Sequence, residues 1–394
     1  MKLYPLQGGL VVLLLSAGLS NAGNAFAQPQ AELTVGTRGV SSVGAELSAG
    51  ADAVDGAVGV IDFSDTAVLL RGRLQLFPDF RGGSVVGLQF PDADSDLGVV
   101  FFHQTYLFLE SRYFDIKLGR SRIQTSIVEF PTVRDDDLLP FTDTLNPFSV
   151  GSTTEDHQYG NTLEVTGILA SKYFLSAHAE HLFLTPGDRG GVDFSLNSFG
   201  STLYYRNIPA LIDTEVLREV GIGVNYNDAK NDGRDATWAL IAGGAVNVVP
   251  DPIHLLDVRA QAIYNNGDPG TSLSDANSTF RARSIRGAAA LRYLFSKGML
   301  PTMQIAVVGG YARYVDNGAN TWSGILNGFY SIGYGFDVGV QYQLGRNSAQ
   351  VRSALGAPEL VHTPQAILRF GYELNVNPLP TRDSILNVEH GYIP

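Results

Sequence analysis

Over most of this chain apolar and polar residues alternate with a period of two. From Phe329 to Leu344, Tyr330, Ile332, Tyr334, Phe336, Val338, Val340, Tyr342 and Leu344 alternate with Ser331, Gly333, Gly335, Asp337, Gly339, Gln341 and Gln343. Successive side chains of a strand point to opposite faces, so this reads as one strand with a greasy face and a wet face. Aromatics sit near both ends of the greasy face and aliphatics lie between, as in a strand that crosses a bilayer, with Tyr342 expected at the periplasmic interface.

Similar segments recur at 31–46, 65–77, 83–90, 97–109, 112–120, 158–168, 172–183, 192–206, 215–226, 235–248, 254–264, 281–295, 302–314, 348–355 and 363–375. With 329–344 they make sixteen expected strands, with fourteen or eighteen as the alternatives. No helix is expected after the leader. The connections test this count, because membrane barrels alternate short periplasmic turns with longer external loops. Residues 78–82, 110–111, 169–171, 250–252 and 296–301 are short, and 91–96, 121–157, 185–191, 227–234, 265–280 and 315–327 fall between them. The connection 207–214 is of middle length and is assigned to the periplasmic side.

The alternation also assigns faces. Arg71, Arg73 and Gln75 lie opposite Val68, Leu70, Leu74 and Leu76; Lys117 and Asp115 lie opposite Phe114, Ile116 and Leu118. Asp257, Arg259 and Gln261 oppose Leu256, Val258, Ala260 and Tyr264, while Arg286, Arg292 and Arg369 face away from Ile285, Leu291 and Leu368. A charge on the lipid side at the midplane costs about 2–4 kcal/mol, so these cations point inward. The expected fold is therefore all-β: a transmembrane antiparallel up-and-down barrel with a wet interior. A soluble sandwich would also alternate, but it does not favour aromatics at strand ends.

The first residues supply the route. Lys2, the apolar run Leu10 to Leu19 and Ala25-Phe26-Ala27 form the three regions of a secretory signal, with cleavage expected after Ala27. The run is shorter than the roughly 20 residues of a spanning helix. The expected organisation is a signal at 1–27, a barrel at 28–376 with a long insertion at 121–157, and a periplasmic tail at 377–394. The expected location is the outer membrane, in contact with lipid and lipopolysaccharide. Cysteine is absent, and barrel closure removes the need for disulfide staples.

Charge and motifs exclude more than they assign. A net charge of −12 argues against nucleic acid as a partner, since phosphate neutralisation needs clustered Lys and Arg. Ser176, His178 and Glu180 share a strand face, but same-face neighbours about 7 Å apart are too distant for direct proton transfer between short side chains. They read as lumen polar groups, and no catalytic residue is assigned. His178 and His181 fall on opposite faces, so they make no metal pair. The run Asp92-Ala-Asp94-Ser-Asp96 lacks the distal glutamate of a calcium loop. No enzyme activity, metal or cofactor is expected.

From Ala31 to Val376 the chain resembles the trimeric porin superfamily of Gram-negative bacteria, in its signal, its strand count and its long insertion between the fifth and sixth strands. In that superfamily the insertion folds into the barrel and narrows it. The resemblance thus implies a channel for passive diffusion of small hydrophilic solutes or ions, and a homotrimer. It also implies that Asp135, Asp136 and Asp137 on the insertion face an arginine ladder from Arg71, Arg73, Arg259, Arg286, Arg292 and Arg369, setting a transverse field. Solvated aspartates paired with Arg134 are the alternative. Many such barrels finish on an aromatic residue, whereas here Pro378 and Pro380 follow the last strand. A non-conducting structural or adhesive barrel is the competing reading.

Overall fold

The computed structural model describes residues 30–49, 54–62, 67–89, 101–122, 127–128, 130–131, 159–180, 183–186, 192–195, 198–207, 215–227, 236–267, 283–297, 300–333 and 335–376. The expected signal at 1–27, Asp92 to Asp96, Asp135 to Asp137 and the tail at 377–394 lie outside them.

The described chain forms β1 (Ala31–Ala49), β2 (Val54–Asp62), β3 (Ala67–Phe77), β4 (Phe80–Gln89), β5 (Phe101–Ser111), β6 (Phe114–Arg122), β7 (Tyr159–Leu169) and β8 (Tyr173–Glu180). There follow β9 (Phe183–Pro186), β10 (Val192–Ser195), β11 (Ser198–Arg206), β12 (Leu217–Asn227), β13 (Thr237–Pro250) and β14 (His254–Asn265). The remainder is β15 (Ser284–Lys297), β16 (Leu300–Tyr314), β17 (Asn320–Gly333), β18 (Phe336–Asn347), helix α1 (Ala349–Leu355) and β19 (Leu360–Val376).

Every barrel pairing is antiparallel and joins consecutive strands, except that β1 also meets β3, β8 meets β11 past the β9–β10 hairpin, and β1 closes the ring on β19 from Leu33↔Val376 to Ala49↔Leu360. Strands β2 and β3 face successive halves of β1, with Ser42 opposite Asp62 and Arg38 opposite Ala67, so they are two pieces of one stave. The short β9–β10 hairpin stands apart from the main sheet. Sixteen staves result, with β1 starting and β19 ending at the same rim, the terminal end.

The total of sixteen agrees with the sequence pattern, but three segments behind it do not. Residues 329–344 are not one strand: β17 and β18 meet in a hairpin, with Gly333 opposite Phe336. Gly333 and Gly335 take positive φ of 90° and 79°, which glycine adopts without the Cβ clash of other residues. A two-residue turn alone would shift the phase of the alternation, but a bulge between Ser331 and Gly333 adds one residue and restores it, so Tyr330 and Val338, directly opposite, both keep the outward parity. Tyr342 consequently lies past the turn, toward the rim opposite the one that holds both barrel termini; with the tail expected in the periplasm, this corrects its expected place. Strand β17 takes up most of the expected loop 315–327; its outward face carries Gly324 and Gly328 between Trp322, Leu326 and Tyr330, which dilutes the apolar signal.

Residues 348–355 are not a strand either. Ala349-Gln-Val-Arg-Ser-Ala-Leu is built of helix-tolerant residues, and Gly356 at φ 66° closes α1 by donating its N–H to the Arg352 carbonyl at 2.8 Å. Val351 packs on Tyr314 and Ala319, which seats the helix at the opposite rim. The expected strand 192–206 divides into β10 and β11.

Face assignment holds on every described strand that sequence patterning addressed. Leu70, Leu118, Val258, Ile285, Leu291 and Leu368 are exposed on the outside, while Arg71, Arg73, Asp257, Arg259, Arg286, Arg292 and Arg369 are buried inside. Outward aromatics gather in two belts. Phe77–Phe80–Phe114, Tyr173–Tyr205 and Phe336–Phe370 touch at the terminal end, and Phe199–Tyr226, Trp238–Tyr264 and Tyr342–His362 touch toward the other. Amphipathic rings at both edges of an apolar band are the arrangement of a barrel that spans a bilayer.

Candidate functional site: the barrel interior

On β13 and β15 to β17 the inner face carries apolar residues at mid-strand, which alternation alone does not explain. Ala239, Ile241, Ala245 and Ile263 point inward and are buried, and they cluster with Ile127 and Val128 of the long insertion after β6. Further round, Ala288, Ala290, Val308 and Ile325 form a second patch against which Phe130 packs. The described residues of the insertion, 127–128 and 130–131, therefore lie inside the barrel against the inner wall of β13 to β17.

Hydrogen bonds fix its backbone. The amide N–H groups of Ile127 and Val128 donate to Gln261 Oε1 at 2.8 and 3.2 Å. Arg206 Nη2 donates to the Ile127 carbonyl at 3.4 Å, and Asn327 Nδ2 to the Pro131 carbonyl at 2.5 Å. Two glycines give it space: a Cβ at Gly221 would come 3.1 Å from Ile127 and one at Gly243 3.1 Å from Val128. Burying Ile127 and Val128 stabilises the seat by about 1.5–3 kcal/mol per side chain.

Around this seat the wall carries ion pairs, formed between residues directly opposite on neighbouring strands. Glu32 pairs with Arg73 at 2.8 Å, Arg81 with Glu110 at 3.6 Å, Lys117 with Glu164 at 3.5 Å and Arg206 with Glu219 at 3.0 Å. Asp257 faces Arg292, and Asp337 faces Arg369 at 2.7 Å. Strand register thus brings each carboxylate to its cation. Asp257 gathers two more, Arg259 at 3.0 Å and Arg218 at 3.6 Å, and Arg71 reaches Glu32 at 3.4 Å.

Of the arginines expected as a ladder, Arg71, Arg73, Arg259, Arg292 and Arg369 are thus brought to wall carboxylates, and Lys117 to Glu164. Arg286, near the opposite rim, donates from Nε to Ser284 Oγ at 3.1 Å with its guanidinium 5.8 Å from the Tyr314 ring. Ser176 and His178 are on the inner face, where Ser176 Oγ donates to Glu164 at 3.2 Å. Sequence reasoning missed Asn327, Arg206, Arg218, Glu32 and Glu110 as parts of the interior, and it placed Gln261 there without its role as the partner of Ile127 and Val128. The signal that could have pointed to the seat is present: Ala239, Ile241, Ala288, Ala290 and Val308 make both faces of their strands apolar.

No protein-family model matches this chain, and no curated protein sequence matches it. Solved structures do. The anion-selective porin from Comamonas acidovorans superimposes with a TM-score of 0.60 at 13% identity, covering 87% of this chain and 100% of its own. The outer membrane channel DcaP of Acinetobacter baumannii gives 0.55 at 15%, covering 89% and 99%, and Pseudomonas putida OprB gives 0.55 at 12%, covering 93% and 97%. This chain has the porin fold. The described part of the insertion, residues 127–128 and 130–131, follows the fifth stave, β6.

Proposed function

We propose that this protein is an outer-membrane channel through which small hydrophilic solutes and ions diffuse passively. One observation carries the reading: residues 127–128 and 130–131 are held against the inner wall of a closed barrel. A sixteen-stave barrel is wider than its own wall side chains fill, so a segment inside it sets the bore. The polar lining supports the same reading, since charged and amide groups replace part of a solute's hydration. A porin from Comamonas acidovorans and a channel from Acinetobacter baumannii share the fold. Lipid and lipopolysaccharide are the surroundings in this reading, and a homotrimer is its assembly; Vibrio cholerae OmpT, with a TM-score of 0.52, is known in a trimer form.

Proteoliposomes test the reading. Vesicles carrying the purified, folded chain should release a trapped small hydrophilic dye and retain a large dextran. Retention of both, as in protein-free vesicles, would refute the channel.

A further inference from the structure

Beside the Pro131 contact the inner wall changes character. Asn327, Gln341 and Gln365 lie directly opposite one another across β17, β18 and β19, and Gln343 opposes Thr363 and Ile325 on the adjoining row. Ser323, Asn327, Gln343 and Gln365 are all more than nine-tenths buried on the inner face. Both amide atoms of Gln343, both of Gln365, Ser323 Oγ and Asn327 Oδ1 have no protein partner. Native interiors seldom leave such groups unmet, and six in one patch point to a ligand that supplies both donors and acceptors. Gly44, directly opposite, lets Gln365 lie close against the wall, since a Cβ there would come 2.4 Å from the Pro364 carbonyl oxygen and 2.8 Å from Gln365 Cγ.

The patch is neutral. The described charges nearest along β18 and β19, Asp337 and Arg369, neutralise each other. A charged solute finds no counter-charge among these amides, whereas a hydroxyl group can donate to an amide oxygen and accept from its nitrogen. We propose that Ser323, Asn327, Gln343 and Gln365 form a solute-contact site beside the inward segment, and that its ligands are neutral polyhydroxylated molecules, the sugars and polyols. The site rests on the channel reading and adds the class of solute.

The test compares the wild-type chain with the double variant Gln343→Leu/Gln365→Leu in planar bilayers, with maltotriose added during ion conduction and gluconate as the charged control. Wild-type current should fall saturably with maltotriose and show no saturation with gluconate. The variant should keep its ion conductance and need about tenfold more sugar for half-saturation, the size of effect expected from lost hydrogen bonds. Its unfolding midpoint should hold or rise, because the change removes buried polar atoms that lack partners, and this separates a binding role from a structural one. Conductance without sugar saturation, saturation by gluconate instead, or equal half-saturation in the variant would each overturn the site and leave the channel standing. Absence of conductance in the wild type would overturn both.

Discussion

Gln261 Oε1 accepts the backbone N–H of Ile127 at 2.8 Å, joining positions 134 residues apart in sequence. The same oxygen also receives the Val128 N–H, so one side chain satisfies two amides of a segment that has no strand to pair with inside the barrel.

Replacing Gln261 by Leu leaves both amides buried and unpaired at a cost of roughly 1–3 kcal/mol each, less whatever the segment regains by moving. The expected result is a barrel that still folds but whose single-channel current is noisier. Recordings of Gln261→Leu beside the wild type, with the heat-modified gel shift as a folding control, check this. An unchanged current trace would show that the tether does not hold the segment.

Asp257 is the shared anion of Arg218, Arg259 and Arg292. Asp257→Asn leaves buried guanidinium groups uncompensated and should cost about 3–5 kcal/mol, read as a lowered denaturant midpoint. Reversal potentials in a salt gradient should shift toward anion preference at the same time. Asp257→Asn combined with Arg292→Met should recover much of the stability.

The two glycines of the β17–β18 hairpin should behave differently. A Cβ at Gly333 meets nothing within 4 Å, so Gly333→Ala bears only the positive-φ strain of about 1–2 kcal/mol. A Cβ at Gly335 would lie 2.0 Å from the Gly371 carbonyl oxygen, so Gly335→Ala must also displace β19 and should lose roughly 3 kcal/mol or more. Parallel urea titrations of the two variants measure the difference.

At the β13–β14 turn the Asp251 carboxylate accepts the N–H groups of Ile253 and His254, both at 2.8 Å, and these bonds hold its carboxyl below the usual carboxylate range. Its folded value is the depressed one. The contribution is therefore complete above about pH 4 and is lost as pH falls through the folded value. Exchange of the Ile253 and His254 amides should speed up in acid relative to other turns, and Asp251→Ala should abolish that difference.

Period and charge made the wall legible, while turns and the interior were harder to read. Arg71, Asp257 and Arg369 betrayed the inner face because a lipid-facing charge is costly, and alternation then oriented their neighbours. The Gly333–Gly335 reversal was hidden because the bulge between Ser331 and Gly333 cancels the phase shift of the two-residue turn. Helix α1 was hidden because seven residues give less than two turns over which a 3.6 period could show. The seat of the insertion depends on contacts such as Gln261 with Ile127, which neither local sequence predicts. Its trace was the excess of apolar residues on the inner face of β13 to β17.

The most direct test of the channel is single-channel recording from the purified chain, confirmed folded by its heat-modifiable mobility. The wild type should insert as discrete, equal conductance steps, and Gln261→Leu should insert as readily with altered current noise. Folded protein that integrates into the bilayer and passes no current would contradict the account.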